Sequence, residues 1–208
     1  MQRTMDIHVI RTADGLELHL AYEPPKTPGG LVLLGTHGIN SSFYTTPLLE
    51  LGRRLATDGP GYAILNNRGH DRMSMTSGKM LGTAYETFED CVLDLNAAAD
   101  WLTARGHTRL VLAGHSLGAL KVTYMQVHQP HPSVVALAPC SGPAVMADYA
   151  PEQVDAWLAE SKALIAAGKG DEIIWAQPPG DSPAPRSAFS AHTYWNKYAP
   201  EANTRILQ

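Results

Sequence analysis

Apolar and polar residues alternate from position 6 to 11 and again from 16 to 22, with Thr12-Ala13-Asp14-Gly15 between them. A period of two gives each segment one core face, and the Asp-Gly pair turns the chain, so the pattern predicts an N-terminal β-hairpin. A Pro- and Gly-rich loop follows at 24–30. Leu31-Val32-Leu33-Leu34-Gly35 then lacks any polar position and reads as a strand covered on both faces. Residues 42–56 read as a helix with Leu48, Leu51 and Leu55 on one side, stopped by Gly59-Pro60-Gly61. Tyr62-Ala63-Ile64-Leu65 is the next buried strand.

The clearest helix spans 88–105, where Phe88, Val92, Leu95, Ala99 and Leu102 recur at spacings of four and three. Thr87 with Asp90 resembles a capping box, and Gly106 ends the helix. A strand at 110–113, a helix at 117–127, the break Gln129-Pro130-His131-Pro132 and a strand at 134–138 complete the series. Strands alternating with helices predict an α/β fold: a mostly parallel sheet with helices on both faces. The strand at 134–138 holds no charge or proline, so an exposed edge there would invite pairing with another chain.

After Pro143 the pattern changes. A helix is predicted at 152–167 and a Pro-rich loop at 178–185, with no buried-strand run. Aromatics gather here as Trp157, Trp175, Tyr194, Trp195 and Tyr198. This stretch reads as a helical cap inserted after the sixth strand. The expected organisation is a core at 1–143, a cap at 144–200 and a lead-in at 201–208 to further core strands.

Composition narrows the function classes. The chain has 208 residues, is 44% hydrophobic and carries a formal charge of −4. That charge is too mild to suggest nucleic acid or an anionic membrane as partner. There is no signal-like or membrane-spanning run, and Cys91 and Cys140 read as free core thiols, so a cytoplasmic location is expected. No metal-ligand spacing or phosphate loop appears, and no cofactor is expected.

The chemistry concentrates at Gly114-His115-Ser116-Leu117-Gly118. A buried strand, a G-x-S-x-G and then a helix is the order of a nucleophile elbow, in which a sharp turn exposes the serine hydroxyl. Ser116 is the candidate nucleophile. The backbone N–H of Leu117 would face a developing oxyanion. A second donor is expected from the loop Thr36-His37-Gly38-Ile39-Asn40, where Gly38 lets the N–H of Ile39, or less readily Asn40, turn toward the serine. His37 is read as orienting that loop's backbone, and His115 as pointing into the packing beneath the elbow. His37, Gly38, Asn40 and His115, with Trp157, Trp175 and Trp195 of the cap, are the candidate substrate-contacting positions.

Three motifs in order carry a resemblance to the α/β-hydrolase superfamily: His37-Gly38-Ile39, Asn66-Asn67-Arg68-Gly69-His70 and Gly114-His115-Ser116-Leu117-Gly118. The likeness covers residues 6–142. Many members have Asp where Asn66 stands and Gly where Asp71 stands, a departure in a structural turn. The resemblance implies Ser116 as nucleophile and Ile39 and Leu117 as oxyanion donors. It also implies an acid and then a histidine after the seventh and eighth strands. Only six strands are legible, so both are expected beyond Gln208.

The histidines within the chain read as substitutes of low value. His8 and His19 belong to the hairpin surface and His70 fixes a loop. His107, His128 and His131 lie in turns on the far side of the sheet. His192, alone in the cap, could cover the pocket. Asp148, Asp171 and Asp181 read as solvated cap residues. The expected function is a serine hydrolase that cleaves a small carboxylic ester or thioester through an acyl-enzyme on Ser116. The alternatives are a non-catalytic binding module, a peptidase or carbon–carbon bond hydrolase on the same scaffold, and assembly through the open sheet edge.

Overall fold

Three largely buried strands lie side by side at the centre of the fold. They are β3 (Val32–Thr36), β4 (Gly61–Leu65) and the longer β7 (Leu110–His115), of which only Val111 and His115 are part-exposed. The computed structural model describes residues 5–142, 153–179 and 185–205. Around this centre stand β1 (Asp6–Arg11) and β2 (Glu17–Glu23) on one side and β8 (Val134–Cys140) on the other, in the order β1-β2-β4-β3-β7-β8. The N-terminal hairpin is antiparallel and joins β4 antiparallel; β4, β3, β7 and β8 run parallel.

Strand periodicity divides the core in two. Val32, Leu34, Ala63, Leu65, Leu110 and Leu112 face α2 (Cys91–Thr103) and α3 (Leu117–His128), where Leu95, Leu102, Leu120 and Met125 meet them. Leu33, Tyr62, Ile64 and Ala113 face α1 (Pro47–Asp58) through Leu48, Leu49 and Ala56. Helices therefore cover both faces, as the alternation of elements predicts.

Several local expectations need correction. α1 starts at Pro47, not residue 42, because Thr46 caps it and proline suits the first helical position. Its buried face is Leu48, Leu49, Gly52 and Ala56, and Leu51 is exposed. The Tyr62 side chain packs so close to Gly52 that a β-carbon there would clash with its ring. Thr87 makes no capping bond; a 3-10 turn at Phe88–Asp90 leads into α2 instead. Two hairpins were not legible: β5 (Ser74–Thr76) with β6 (Lys79–Leu81), and β9 (Ile173–Ala176) with β10 (Ser187–Ser190). All four residues of β10 are buried, although only Ala188 and Phe189 are apolar. His8 is no plain surface residue but stacks on Tyr22 and Trp101.

Residues 153–205 carry a cluster of their own. α4 (Gln153–Ala166), the β9–β10 hairpin and α5 (Ala191–Tyr198) bring together Val154, Trp157, Ile174, Phe189, Tyr194 and Tyr198. Ile39 packs against both this cluster and the main core. The strand at 134–138 does lie at a sheet edge among the described residues, extended to Cys140, with Val135 and Leu137 exposed. Both cysteines are free, and no described helix is long and apolar enough to cross a membrane.

Arg68 holds the turn after β4 to α2. It donates from its backbone N–H and its guanidinium to buried Asp94 at 2.8–2.9 Å, and its other nitrogens reach Asp90 and Asp14. Replacing it would leave the Asp94 carboxylate buried without its cation. Arg68→Ala is expected to lower the unfolding free energy by about 3–5 kcal/mol, read from the urea midpoint.

Candidate active site

Ser116 is the single residue between the end of β7 and the start of α3, and its backbone has φ 56° and ψ −125°. A side chain at positive φ, outside the left-handed helical well, costs about 1–3 kcal/mol and persists only where neighbours enforce it. Here the neighbours are backbone. A β-carbon on Gly114 would lie 2.0 Å from the Gly118 carbonyl oxygen, and one on Gly118 would lie 2.6 and 2.7 Å from the carbonyl oxygens of Thr36 and His37. One on Gly38 would meet Ser116 Cβ at 2.8 Å, the His115 carbonyl at 2.9 Å and the Leu117 amide nitrogen at 3.1 Å. Gly38 and Gly118 thus let the loop after β3 press onto the turn that carries Ser116, and Gly114 lets β7 pack against the start of α3. The Ser116 N–H is spent on the Cys140 carbonyl at 3.0 Å, so it cannot serve the cleft.

Two backbone amides are the oxyanion-donor candidates, and Gly38, next to Ile39, lies against Ser116 and Leu117. Leu117 N–H belongs to the first turn of α3, where no intrahelical acceptor exists, and the helix dipole adds positive potential. The second is Ile39. His37 Nδ1 lies 2.9 Å from the Gly38 carbonyl oxygen; since a carbonyl only accepts, Nδ1 carries the proton. In a trans peptide the Ile39 N–H points opposite to the Gly38 C=O, so this bond aims it away from the His37 ring. Neither amide has a hydrogen bond to a described residue. Of the two candidates in this loop, the Asn40 N–H donates to Thr83 Oγ1 at 2.8 Å.

A buried charge cluster lies under this loop. Glu86, 1% exposed, accepts from Lys121 of α3 at 2.5 Å and from Lys197 of α5 at 2.7 Å. Burial alone would raise the Glu86 carboxyl, but the two ammonium groups outweigh it and hold it at about 2. Lys121 Nζ also reaches Asn67 Oδ1 at 2.9 Å, and Asn67 Nδ2 donates to Thr36 Oγ1 at 2.7 Å. Gly69 fits against Glu86 because any β-carbon there would collide with its carboxylate. These residues were missed in the sequence, although a lysine within the apolar run 117–125 and another between Tyr194 and Tyr198 were visible signs.

The remaining candidates scatter. His115 is part-exposed in β7 opposite Cys140. Asn40 is exposed, with its Nδ2 3.4 Å from Ser187 Oγ. Trp157 is buried within the second cluster, with Arg186 near its ring; Trp195 is part-buried near Lys162; Trp175 is 61% exposed. None of the three has a contact with Ser116 among the described residues. No histidine or carboxylate among the described residues hydrogen-bonds to Ser116. His192 is exposed and lies against Gly170. His70 pairs with Asp71 at 2.9 Å, His107 with Tyr22 at 2.6 Å and His131 with Asp100 at 3.2 Å. Asp148, Asp181 and the lead-in at 206–208 lie outside the described residues. Two clefts of about 530 and 600 Å3, lined in part by Trp101 and by His107, open elsewhere.

Residues 31–205 match the alpha/beta hydrolase family, and the chain belongs to it. Solved structures of the same fold include the Pyrococcus furiosus esterase Pf2001, at 19% identity and TM-score 0.55, covering 79% of this chain and 56% of that one. The alpha/beta hydrolase GrgF from Penicillium sp. sh18 is 16% identical with TM-score 0.71, covering 99% and 77%. A thermostable carboxyl esterase from Bacillus coagulans is 13% identical with TM-score 0.59, covering 83% and 54%. The chain thus spans little more than half the length of the two esterases. At these identities the likeness speaks to the fold alone. No curated protein matches in sequence.

His37 gives the loop a pH signature. It is fully buried, and burial together with the Lys121 charge lowers its pKa from 6.5 to about 4. The folded chain holds it neutral while the unfolded chain protonates it, so stability is full above pH 6.5 and falls as pH drops toward 4. The loss is about 3 kcal/mol across that window. In His37→Asn that part of the slope should vanish, as measured by urea unfolding at a series of pH values.

Proposed function

We propose that the protein is a serine hydrolase that cleaves a carboxylic ester or thioester through an acyl-enzyme on Ser116. The observation that carries this reading is the strained Ser116 at the strand-to-helix turn with the Gly38 backbone packed against it and against the Leu117 amide nitrogen; the Leu117 and Ile39 N–H groups are the oxyanion donors we assign. Attack by Ser116 Oγ on a carbonyl carbon would place the negative oxygen between those two N–H groups. Each such donor is worth about 2.7–4 kcal/mol to the transition state. Collapse of the tetrahedral species expels the alcohol or thiol and leaves the acyl ester, which water then hydrolyses. The fold family and the esterases among the similar structures support hydrolysis as the reaction class.

A base is still required, and no histidine among the described residues hydrogen-bonds to Ser116. His70, His107 and His131 bond to Asp71, Tyr22 and Asp100, and the His37 Nδ1 is taken by the Gly38 carbonyl. Residues 153–205 would form an apolar lid. Their aromatic cluster adjoins Ile39, which favours a hydrophobic acyl or alcohol group.

The same lack of a base favours a second reading, a binding module without turnover. A fluorophosphonate probe separates the two. The hydrolase reading expects a mass increase on the peptide holding Ser116, abolished in Ser116→Ala. Gly38→Ala, which must push the loop off the elbow, should slow labelling by about 100-fold or more. A chain that binds esters yet never labels at Ser116 would establish the second reading. Hydrolysis of a short aryl ester compared with its thioester and amide counterparts then fixes the substrate class.

A further inference from the structure

Lys197 is the deepest unexplained charge in the fold. It sits on α5, is 0% exposed, and is separated from the Ser116 turn by most of the C-terminal part of the chain. Its ammonium group makes two bonds, and each begins a path to the loop that presents the Ile39 amide. One path runs from Lys197 Nζ to Glu86 Oε1 at 2.7 Å, from Glu86 Oε2 to Lys121 Nζ at 2.5 Å and on to Asn67 Oδ1 at 2.9 Å. From Asn67 Nδ2 it reaches Thr36 Oγ1 at 2.7 Å and the His37 carbonyl at 3.4 Å. The other runs from Lys197 Nζ to the Thr83 carbonyl at 3.0 Å, and the Thr83 hydroxyl accepts the Asn40 N–H at 2.8 Å. His37 and Asn40 are the two residues that flank Gly38-Ile39.

The docking of α5 is built to fix that ammonium group. Ser190 caps the helix and donates its N–H to the Ala84 carbonyl at 2.7 Å. Asn196 accepts from the Phe88 N–H at 2.8 Å and donates to Glu89 at 2.7 Å. The 83–89 segment is therefore clamped to α5 on both sides of Glu86. Chemistry alone does not require a second cation here. Lys121 already neutralises Glu86, so Lys197 adds a net positive charge to a dry interior at a desolvation cost. A residue that costs stability and bridges two elements calls for a role other than stability.

We propose that Lys197 is a positioning residue: by bonding Glu86 and the Thr83 carbonyl from α5, it holds both flanks of the Gly38-Ile39 loop in register with Ser116. This rests on the serine hydrolase reading above for its catalytic consequence, but not for its geometric one. The loop would then be competent only while α5 is docked, and the segment 153–205 would act on the reaction as well as cover it.

The test uses the full chain with Lys197→Met, which keeps the volume and leaves Glu86 paired one-to-one with Lys121, so folding is expected to survive. Thr83→Val is the second variant; it removes the acceptor of the Asn40 N–H and leaves the charges alone. Two readouts are taken: hydrogen exchange at the Asn40 amide, and fluorophosphonate labelling of Ser116 split into probe affinity and the first-order rate at saturation. In both variants Asn40 should exchange about 10-fold faster or more while α1 amides are unmoved. The saturated labelling rate should fall about 10- to 100-fold with probe affinity within about threefold. Unchanged Asn40 exchange and labelling rate in folded Lys197→Met would overturn the proposal. So would a general rise in exchange across the sheet with affinity and rate falling together, which is what a merely structural lysine gives. If Lys197→Met does not fold, Thr83→Val decides by the same criteria. If the unsubstituted chain never labels, the hydrolase reading fails, and Asn40 exchange alone decides the positioning claim.

Discussion

The backbones of two loops meet at the head of the sheet with no room for a β-carbon between them. Gly114, Gly118 and Gly38 each face a main-chain or Cβ atom nearer than any side chain permits. The parallel register makes this meeting unavoidable: Thr36 of β3 lies opposite Gly114 of β7, so both chains leave the sheet at the same level and side by side. Ser116 takes its positive φ because β7 must turn into α3 within one residue under that loop. The fully buried central strands supply the stability that offsets this strain. Hydrophobic burial of the sheet and the backbone geometry of the turn are thus one design at two scales.

Charge is used in the same economical way. Two buried clusters brace the segment between β4 and α2. Arg68 ties its start to Asp94, and Glu86 ties its end to Lys121 and Lys197. A hydrophobic replacement of either cluster could pack as stably, since desolvation offsets much of the Coulomb attraction. What hydrogen-bonded ions provide here is direction. Asn67 stands between the clusters, with Lys121 and the Gly69 N–H on its oxygen and Thr36 on its nitrogen. A shift of the turn after β4 would break bonds in both clusters at once.

Much of the fold was legible because burial on both faces, or on one, leaves a periodic mark. The hairpin, the strands at 31–35, 62–65, 110–113 and 134–138 and the helices on either side all declare themselves this way. The glycines around Ser116 were legible for a related reason: close backbone approach admits one residue type only. What escaped was set by partners distant in sequence. β10 contains Ser187 and Ser190 yet is wholly buried, because Ser190 caps α5 and its N–H finds Ala84. Lys121 and Lys197 are buried because Glu86 lies between them. Thr87 had the chemistry of a cap, but it makes no capping bond, and the Phe88 N–H beside it is held by Asn196 of α5. Tertiary hydrogen bonds override local preference at each of these points.

Ile39 brings these levels together. Its amide is oriented through its neighbours, by His37 on the Gly38 carbonyl and by Thr83 on Asn40. Its side chain, meanwhile, packs against the main core and against the aromatic cluster of 153–205. A residue so held cannot move its backbone without disturbing an interface, and the interface cannot rearrange without moving the backbone. Donors that must be fixed before charge develops benefit from this coupling, because preorganisation removes the cost of aligning them during reaction. The same coupling ties the placement of the Ile39 amide to the aromatic segment.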